Sequence, residues 1–392
     1  PGPFELAPCQ DLDVFEFDCL RETPFRGIEA LGPGECLLIK RPESFTVAPA
    51  SWWRLPEPVP ELSVTAAADE LSLILTDAIR IRVPDEVPVG ILVSGGIDSA
   101  IVQAVAQIER AYVLWFDGDV DDRPAAKLAN AETMPREVSF GRGDLEERLD
   151  EVAYHLDTPA TWTALCHYHL FQKMATDGCV VVLTGDGADE LFGGYARYVA
   201  LRYLDLCRGD ARLAAYAPLL VALLGDPVAM IGQVIDRSPG GRARAHAVQT
   251  ARRFALGRSL VEDVGRTEFY TTMQVLLRMA DRMAARFSME NRSPFLDHRV
   301  IELSTRLLPE ARVSATESKP VLREVARRLG VSREITDAQT KRGISVPWPL
   351  WYGIIDEGRG AWDRGRFVQM MTSAWLRAIK RFNGESDALR EA

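Results

Sequence analysis

Two short segments of this 392-residue chain combine glycine, small hydroxyl side chains and acids in a way that suits a phosphorylated ligand. In the first, an apolar run leads into Ser94-Gly95-Gly96-Ile97-Asp98-Ser99, and a helical pattern starts near Asp98. Two glycines let the backbone approach an anion closely, and a helix N-terminus aims free N–H groups and partial positive charge at it. Ser94 and Ser99 add hydroxyl donors. The loop lacks the GK[ST] ending of the Walker type, so it carries no lysine for the β- and γ-phosphates. Asp98 stands in that place, and a carboxylate beside phosphates is intelligible when Mg²⁺ lies between them. An aspartate that merely caps the helix is the plainer alternative, disfavoured by the complete strand-loop-helix context. The second segment runs from Thr184 through Gly185, Asp186, Gly187, Ala188, Asp189 and Glu190 to Tyr195. It also follows an apolar run, and open α/β sheets bind ligands outside the carboxyl ends of their strands.

The elements that must hold these loops can be read from periodicity. A short apolar run at residues 87–93 and further strand candidates at 111–116, 136–140 and 180–183 alternate with helical patterns. That alternation predicts an α/β fold, a doubly wound parallel sheet with flanking helices. Past Tyr195 helical periodicity takes over, as at residues 272–286 and 321–329. Residues 54–62 hold three prolines and read as a linker. Before them, the turn at Gly32-Pro33-Gly34 and the short apolar run after it read as the end of a β-rich unit. The expected division is 1–62 as that remnant with its linker and 63–392 as the main domain. Its sheet core lies at about 63–195 and its helical part at 196–392.

Composition narrows the partners. A net charge of -10 argues against a broad nucleic-acid or anionic-membrane surface. Six cysteines form no CxxC pair, which removes zinc-ribbon and redox readings. The adjacent Cys166, His167, Tyr168 and His169 point in different directions on a helix and are not expected to bind a metal. Residues 214–235 are apolar but contain Pro218, Asp226 and Pro227, so they read as buried helices and not as a membrane span. Without a visible signal peptide, a cytoplasmic location is expected.

The loop SGGIDSA resembles the pyrophosphate loop of ATP-pyrophosphatases. Together with TGDGADELFGGY, DRMAARFSMENRSPFLDHRV (residues 281–300), ESKPVLREVARR and KRGISVP (residues 341–347), the chain resembles the synthetase domain of the asparagine synthetase family. Relatives of that family include β-lactam synthetases and lasso-peptide cyclases. The resemblance covers about residues 63–355 and implies the adenine nucleotide α-hydrolase-like fold. It also implies ATP and Mg²⁺ as cofactors, and a carbon-nitrogen ligase that releases AMP and pyrophosphate.

Carried over by motif, Asp98 and Asp189 resemble the Mg²⁺-binding carboxylates. Val93, Leu114, Thr184 and Gly185 resemble residues that line the nucleotide pocket beside Ser94, Gly95, Gly96 and Ser99. Lys341 matches a lysine facing the phosphates, and Lys319 a second one in the same neighbourhood. Attack of a carboxylate on the α-phosphorus builds negative charge that Mg²⁺ and lysines stabilise. The nitrogen nucleophile must then lose a proton, for which Asp186 and Glu290 are the candidates. An acid at position 186, where β-lactam-forming relatives resemble one another in carrying tyrosine, favours ammonia or an external amine. Lasso-peptide or lactam cyclisation and a catalytically silent scaffold are the alternatives. Thiolation lacks cysteines near these loops.

Two stretches depart from the resemblance. Residues 126–138 are compressed, and Ile344 replaces a more usual aromatic, so aspartate is not assured as the acid. By the same resemblance, residues 1–62 read as the last portion of the family's glutaminase domain, and an initial cysteine nucleophile is not expected among them. Three expectations stand side by side: a separate glutaminase domain or subunit as partner, a first domain degenerated into a scaffold, or direct use of free ammonia or an amine. The other expected partners are the carboxylate substrate, the amine and a homodimeric mate.

Overall fold

A computed structural model describes residues 6, 23–38, 49–116, 123–129, 134–158, 162–209, 253–314, 316–338, 355–356, 361–362 and 364–382. In chain order its elements are β1 (Glu35–Leu37), β2 (Pro49–Ser51), α1 (Val64–Arg80), β3 (Val89–Leu92), α2 (Ile97–Ala106), β4 (Ala111–Leu114), α3 (Arg123–Ala129) and β5 (Arg136–Val138). There follow α4 (Arg142–Leu156), α5 (Trp162–Thr176), β6 (Val181–Leu183), α6 (Ala188–Phe192), α7 (Ala196–Gly209), α8 (Leu260–Tyr270), α9 (Thr272–Arg286) and β7 (Glu290–Arg292). A 3₁₀ turn (Pro294–Leu296) leads to α10 (His298–Ser304), α11 (Pro309–Arg312), α12 (Pro320–Arg328), α13 (Arg333–Thr336), β8 (Ile355–Asp356), β9 (Ala361–Trp362) and α14 (Arg364–Phe382).

The central sheet has the order β5-β4-β3-β6-β7, and every pairing is parallel. From β3 the chain winds outward through β4 to β5, then returns to the other side of β3 as β6. The strand order therefore reverses between β3 and β6, and the crevice at such a switch point is where open sheets bind ligands. Both loops read from the sequence leave the sheet there.

Strands buried on both faces need apolar residues at successive positions. In β4, Tyr112 joins the core shared with α4, α5, α9 and α14, while Ala111 and Val113 join the core shared with α1, α2 and α12. Helix α1 begins at Ser63, whose side chain accepts from Ala66 N. Its Leu71, Leu75 and Ile79, one turn apart, are fully buried, each contributing about 1.5–3 kcal/mol of transfer free energy.

Two features differ from the sequence expectation. Strand β7 lies beyond residue 195 yet completes the sheet, pairing Asn291 with Val182. Residues 54–62 form a docked strap: Arg266 donates to Pro56 O at 2.8 Å, Arg258 to Pro58 O at 2.5 Å, and Glu61 N to Arg306 O at 2.9 Å. Prolines have no N–H, but their carbonyls remain free to accept. The apolar segment at 214–235 lies outside the described residues. Among those described, no helix is long and apolar enough to cross a membrane.

Asp297 fastens the turn after β7. It is buried, its Oδ1 accepts from Arg299 N, and it pairs with Arg82 at 3.0 Å and Arg299 at 2.9 Å. Burial works to raise its pKa, but Arg299 and Arg82 overcome this and hold the carboxyl well below its usual range. Asp297→Ala is expected to cost about 2–3 kcal/mol near neutral pH, through the lost cap and the broken, partly exposed pairs. A depressed carboxyl stabilises above its unfolded pKa and loses that stabilisation as pH falls. Urea unfolding should therefore show the two proteins converging below about pH 3.8, the unperturbed value.

Candidate active site

Loop 94–96 connects β3 to α2, whose N-cap is Gly96 in extended conformation with no side-chain cap. The serines are tied into the loop. Ser99 Oγ lies 3.2 Å from Ser94 N and donates to Gly96 O at 3.2 Å, and Ser94 Oγ accepts from Gly96 N at 3.3 Å. Asp98 sits in the first helical turn. Below the loop, Val93 is buried, and Leu114 at the end of β4 is half-buried.

The second loop leaves β6 and turns into the short helix α6, which carries Asp189 and Glu190. The two loops touch. A Cβ on Gly185 would lie 2.9 Å from Asp98 Cβ and 3.2 Å from Ser99 N, so only glycine permits this approach. Gly194 is similarly confined, since a Cβ there would overlap Asp189 Oδ1 and Lys319 Cε.

Lys319 arrives from a third element, the start of α12. Its Nζ lies 2.6 Å from Asp98 Oδ2 and 2.5 Å from Asp189 Oδ1, so one ammonium joins the two loops. The side chain is only 6% exposed. Burial alone would lower its pKa, but the charges of Asp189 and Asp98 raise it well above the ordinary lysine value. The backbone of Lys319 is left-handed (φ 54°), a conformation that costs a residue with a side chain about 1 kcal/mol or more. Arg323 holds this turn by donating to Ser318 O at 2.9 Å and Thr336 O at 2.6 Å.

Two aspartates with one lysine carry a net single negative charge, and their oxygens converge on one point. Hard oxygen donors of this kind suit Mg²⁺, which takes one or two protein carboxylates and completes its shell with phosphate and water. Among the described residues there is no cluster of three or more His, Cys, Asp and Glu placed to hold a metal without such help.

Asp186 lies in a polar group formed with β7. Thr184 Oγ1 is 2.7 Å from Asp186 Oδ2, 2.9 Å from Ser293 Oγ and 3.2 Å from Asn291 Oδ1. One hydroxyl proton serves only one of these acceptors at a time. Asn291 Nδ2 lies 3.5 Å from the same Asp186 oxygen. Glu290 is not brought to this group. Successive strand residues face opposite ways, and Glu290 is 60% exposed and bound through both oxygens to Arg292. Sequence reasoning thus missed Asn291 and Ser293; the alternation within β7 is the signal that separates them from Glu290. Lys341 lies outside the described residues.

Glu190 is buried beside Asp189 and accepts from Tyr195 Oη at 2.5 Å. Burial first, then the charge of Asp189, pushes its pKa up to about 7, against the pull of the Tyr195 hydrogen bond. A carboxyl with a raised folded pKa stabilises below its unfolded value and loses that contribution as pH rises through the folded one. Wild type should therefore lose thermal stability relative to Glu190→Gln between about pH 4.5 and 7, a difference that Tm measured across this range will report.

Cys166 is buried, and the three residues after it face different neighbours. Tyr168 donates to Glu151 at 2.9 Å, His169 stacks on Phe140, and His167 stacks on Phe171.

The asparagine synthase family model matches residues 70–360. Over 344 residues the chain is 24% identical to asparagine synthetase 1 (glutamine-hydrolysing) of Bacillus subtilis, covering 76% of this chain and 52% of that protein. It is 30% identical over 149 residues to asparagine synthetase B of Escherichia coli, covering 32% and 27%. It is 31% identical over 166 residues to a protein provisionally named asparagine synthetase 2 from Methanocaldococcus jannaschii, covering 40% and 32%. The chain spans about half or less of the length of these relatives. A match over most of its residues, with both acidic loops inside it, places the chain in the asparagine synthase family.

Proposed function

We propose that this chain is an AMP-forming amide ligase, which activates a carboxylate as its acyl adenylate and transfers the acyl group to ammonia or an amine. The observation that carries this reading is the meeting of Asp98 and Asp189 on Lys319, at the switch point of a parallel sheet. ATP would lie with its base toward Val93 and Leu114 and its phosphates over residues 94–96, beside Ser99, Thr184 and Gly185. Asp98 and Asp189 are the groups that would hold Mg²⁺, which when bound supplies neutralisation of the phosphate charge. Lys319, and Lys341 from the adjoining motif, stabilise charge on the departing pyrophosphate. Asp186 takes the proton from the nitrogen nucleophile.

The relatives' names include glutamine hydrolysis, so a glutaminase domain or subunit is the proposed source of ammonia. The test is carboxylate-dependent exchange of labelled pyrophosphate into ATP, without amine, across a panel that begins with aspartate and extends to larger acids. Exchange with one acid identifies the substrate. Absence of exchange with every acid, in protein that binds Mg-ATP, would count against adenylation.

A further inference from the structure

Helix α5 crosses the face of the sheet that Gly90 leaves open: a Cβ there would lie 2.4 Å from Met174 Cε. The helix ends at the amino edge of the strands, where Val180 N donates to Pro88 O at 2.9 Å just before β3. His167 stands about 14 Å above that end, at 1.5 Å per residue. From there its ring interacts with the charge of Asp186, which follows β6.

His167 is 5% exposed, and its ring stacks on Phe171 with an interplanar angle of 7°. Its Nδ1 has no hydrogen-bond partner among the described residues, and its ring feels the charge of Asp186. Burial lowers its pKa, against the opposing pull of Asp186, so the imidazole is neutral near pH 7. A neutral imidazole keeps one N–H and one lone pair. A buried nitrogen left without a partner is a cost that a bound ligand relieves. His169 on the same helix stacks on Phe140, and among the described residues no group of three or more His, Cys, Asp and Glu is placed to hold a metal.

We propose that His167 Nδ1 holds the incoming ammonia or amine by accepting one of its N–H groups, which turns the amine lone pair toward the acyl carbon. This rests on the ligase reading given above. In the step, the C–N bond forms and the C–O bond to AMP breaks, with AMP keeping the electron pair. The amine's surplus proton goes to the Asp186 carboxylate and from there to water.

The experiment separates the two half-reactions, using the acid found by pyrophosphate exchange and ammonium chloride as the amine. His167→Leu should leave exchange within about twofold and lower kcat/KM for ammonium by at least about tenfold, while His167→Asn, with an amide near Nδ1, recovers much of it. Equal loss in both half-reactions, or no loss in either, would overturn the assignment. If no acid supports exchange, the ligase reading fails by itself and His167 is still decided by NMR of the ¹⁵N-histidine-labelled chain. There the His167 nitrogens, identified with His167→Gln, should move with ammonium chloride against a potassium chloride control, and move again in Asp186→Asn. Resonances indifferent to both would sink the proposal.

Discussion

Lys319→Met is expected to lower ATP cleavage by at least about a hundredfold, a loss of the size that follows removal of a preorganised group at developing charge. The same change leaves Asp98 and Asp189 close together without the ammonium they share, and breaking a buried ion pair from one side costs about 3–5 kcal/mol. Methionine fills nearly the same space, so a packing defect contributes little. Mg²⁺ should then raise the Tm of the variant more than that of wild type, because the cation answers the same two carboxylates. Turnover close to wild type would remove Lys319 from the chemistry and leave it as a buried strut.

Asp186→Asn is the second large expectation. Asparagine keeps the shape and the hydrogen-bonding distance to Thr184 and Asn291 but cannot take a proton. Pyrophosphate exchange should persist within about threefold, and amide formation should fall by about 10²–10⁴-fold, the usual range for a lost general base. A parallel fall in both would make Asp186 a structural member of the Thr184 group.

Much of this was legible in the sequence because burial leaves a pattern. Strands β3, β4 and β6 lie inside the sheet and are apolar or glycine at successive positions, whereas the edge strand β5 buries only Val138, and α9 covers the residues its periodicity indicates. Strand β7 escaped because Glu-Asn-Arg at a sheet edge is polar at every position, so neither a polar–apolar alternation nor an apolar run marks it. Its parallel pairing with β6 is a long-range fact that no local pattern records. The Ser94–Ser99 loop and the Asp186–Glu190 turn were readable because glycines and acids were adjacent in the chain. The bridge made by Lys319 was not, since it depends on a left-handed lysine held by Arg323 and on contact between residues more than two hundred positions apart. Glu290 illustrates the same limit. A motif resemblance selected it, while strand geometry turns Asn291, its neighbour, toward Asp186. The docking of the proline-rich linker was not legible because its partners, Arg258, Arg266 and Arg306, come from distant helices and turns.

The most direct test of the account is to incubate the chain with Mg-ATP, the acid selected by exchange and ammonium chloride, and to separate nucleotides and products by chromatography. The account predicts AMP, pyrophosphate and amide in equal amounts, all absent in Asp98→Ala. ADP and phosphate in place of AMP and pyrophosphate would contradict it.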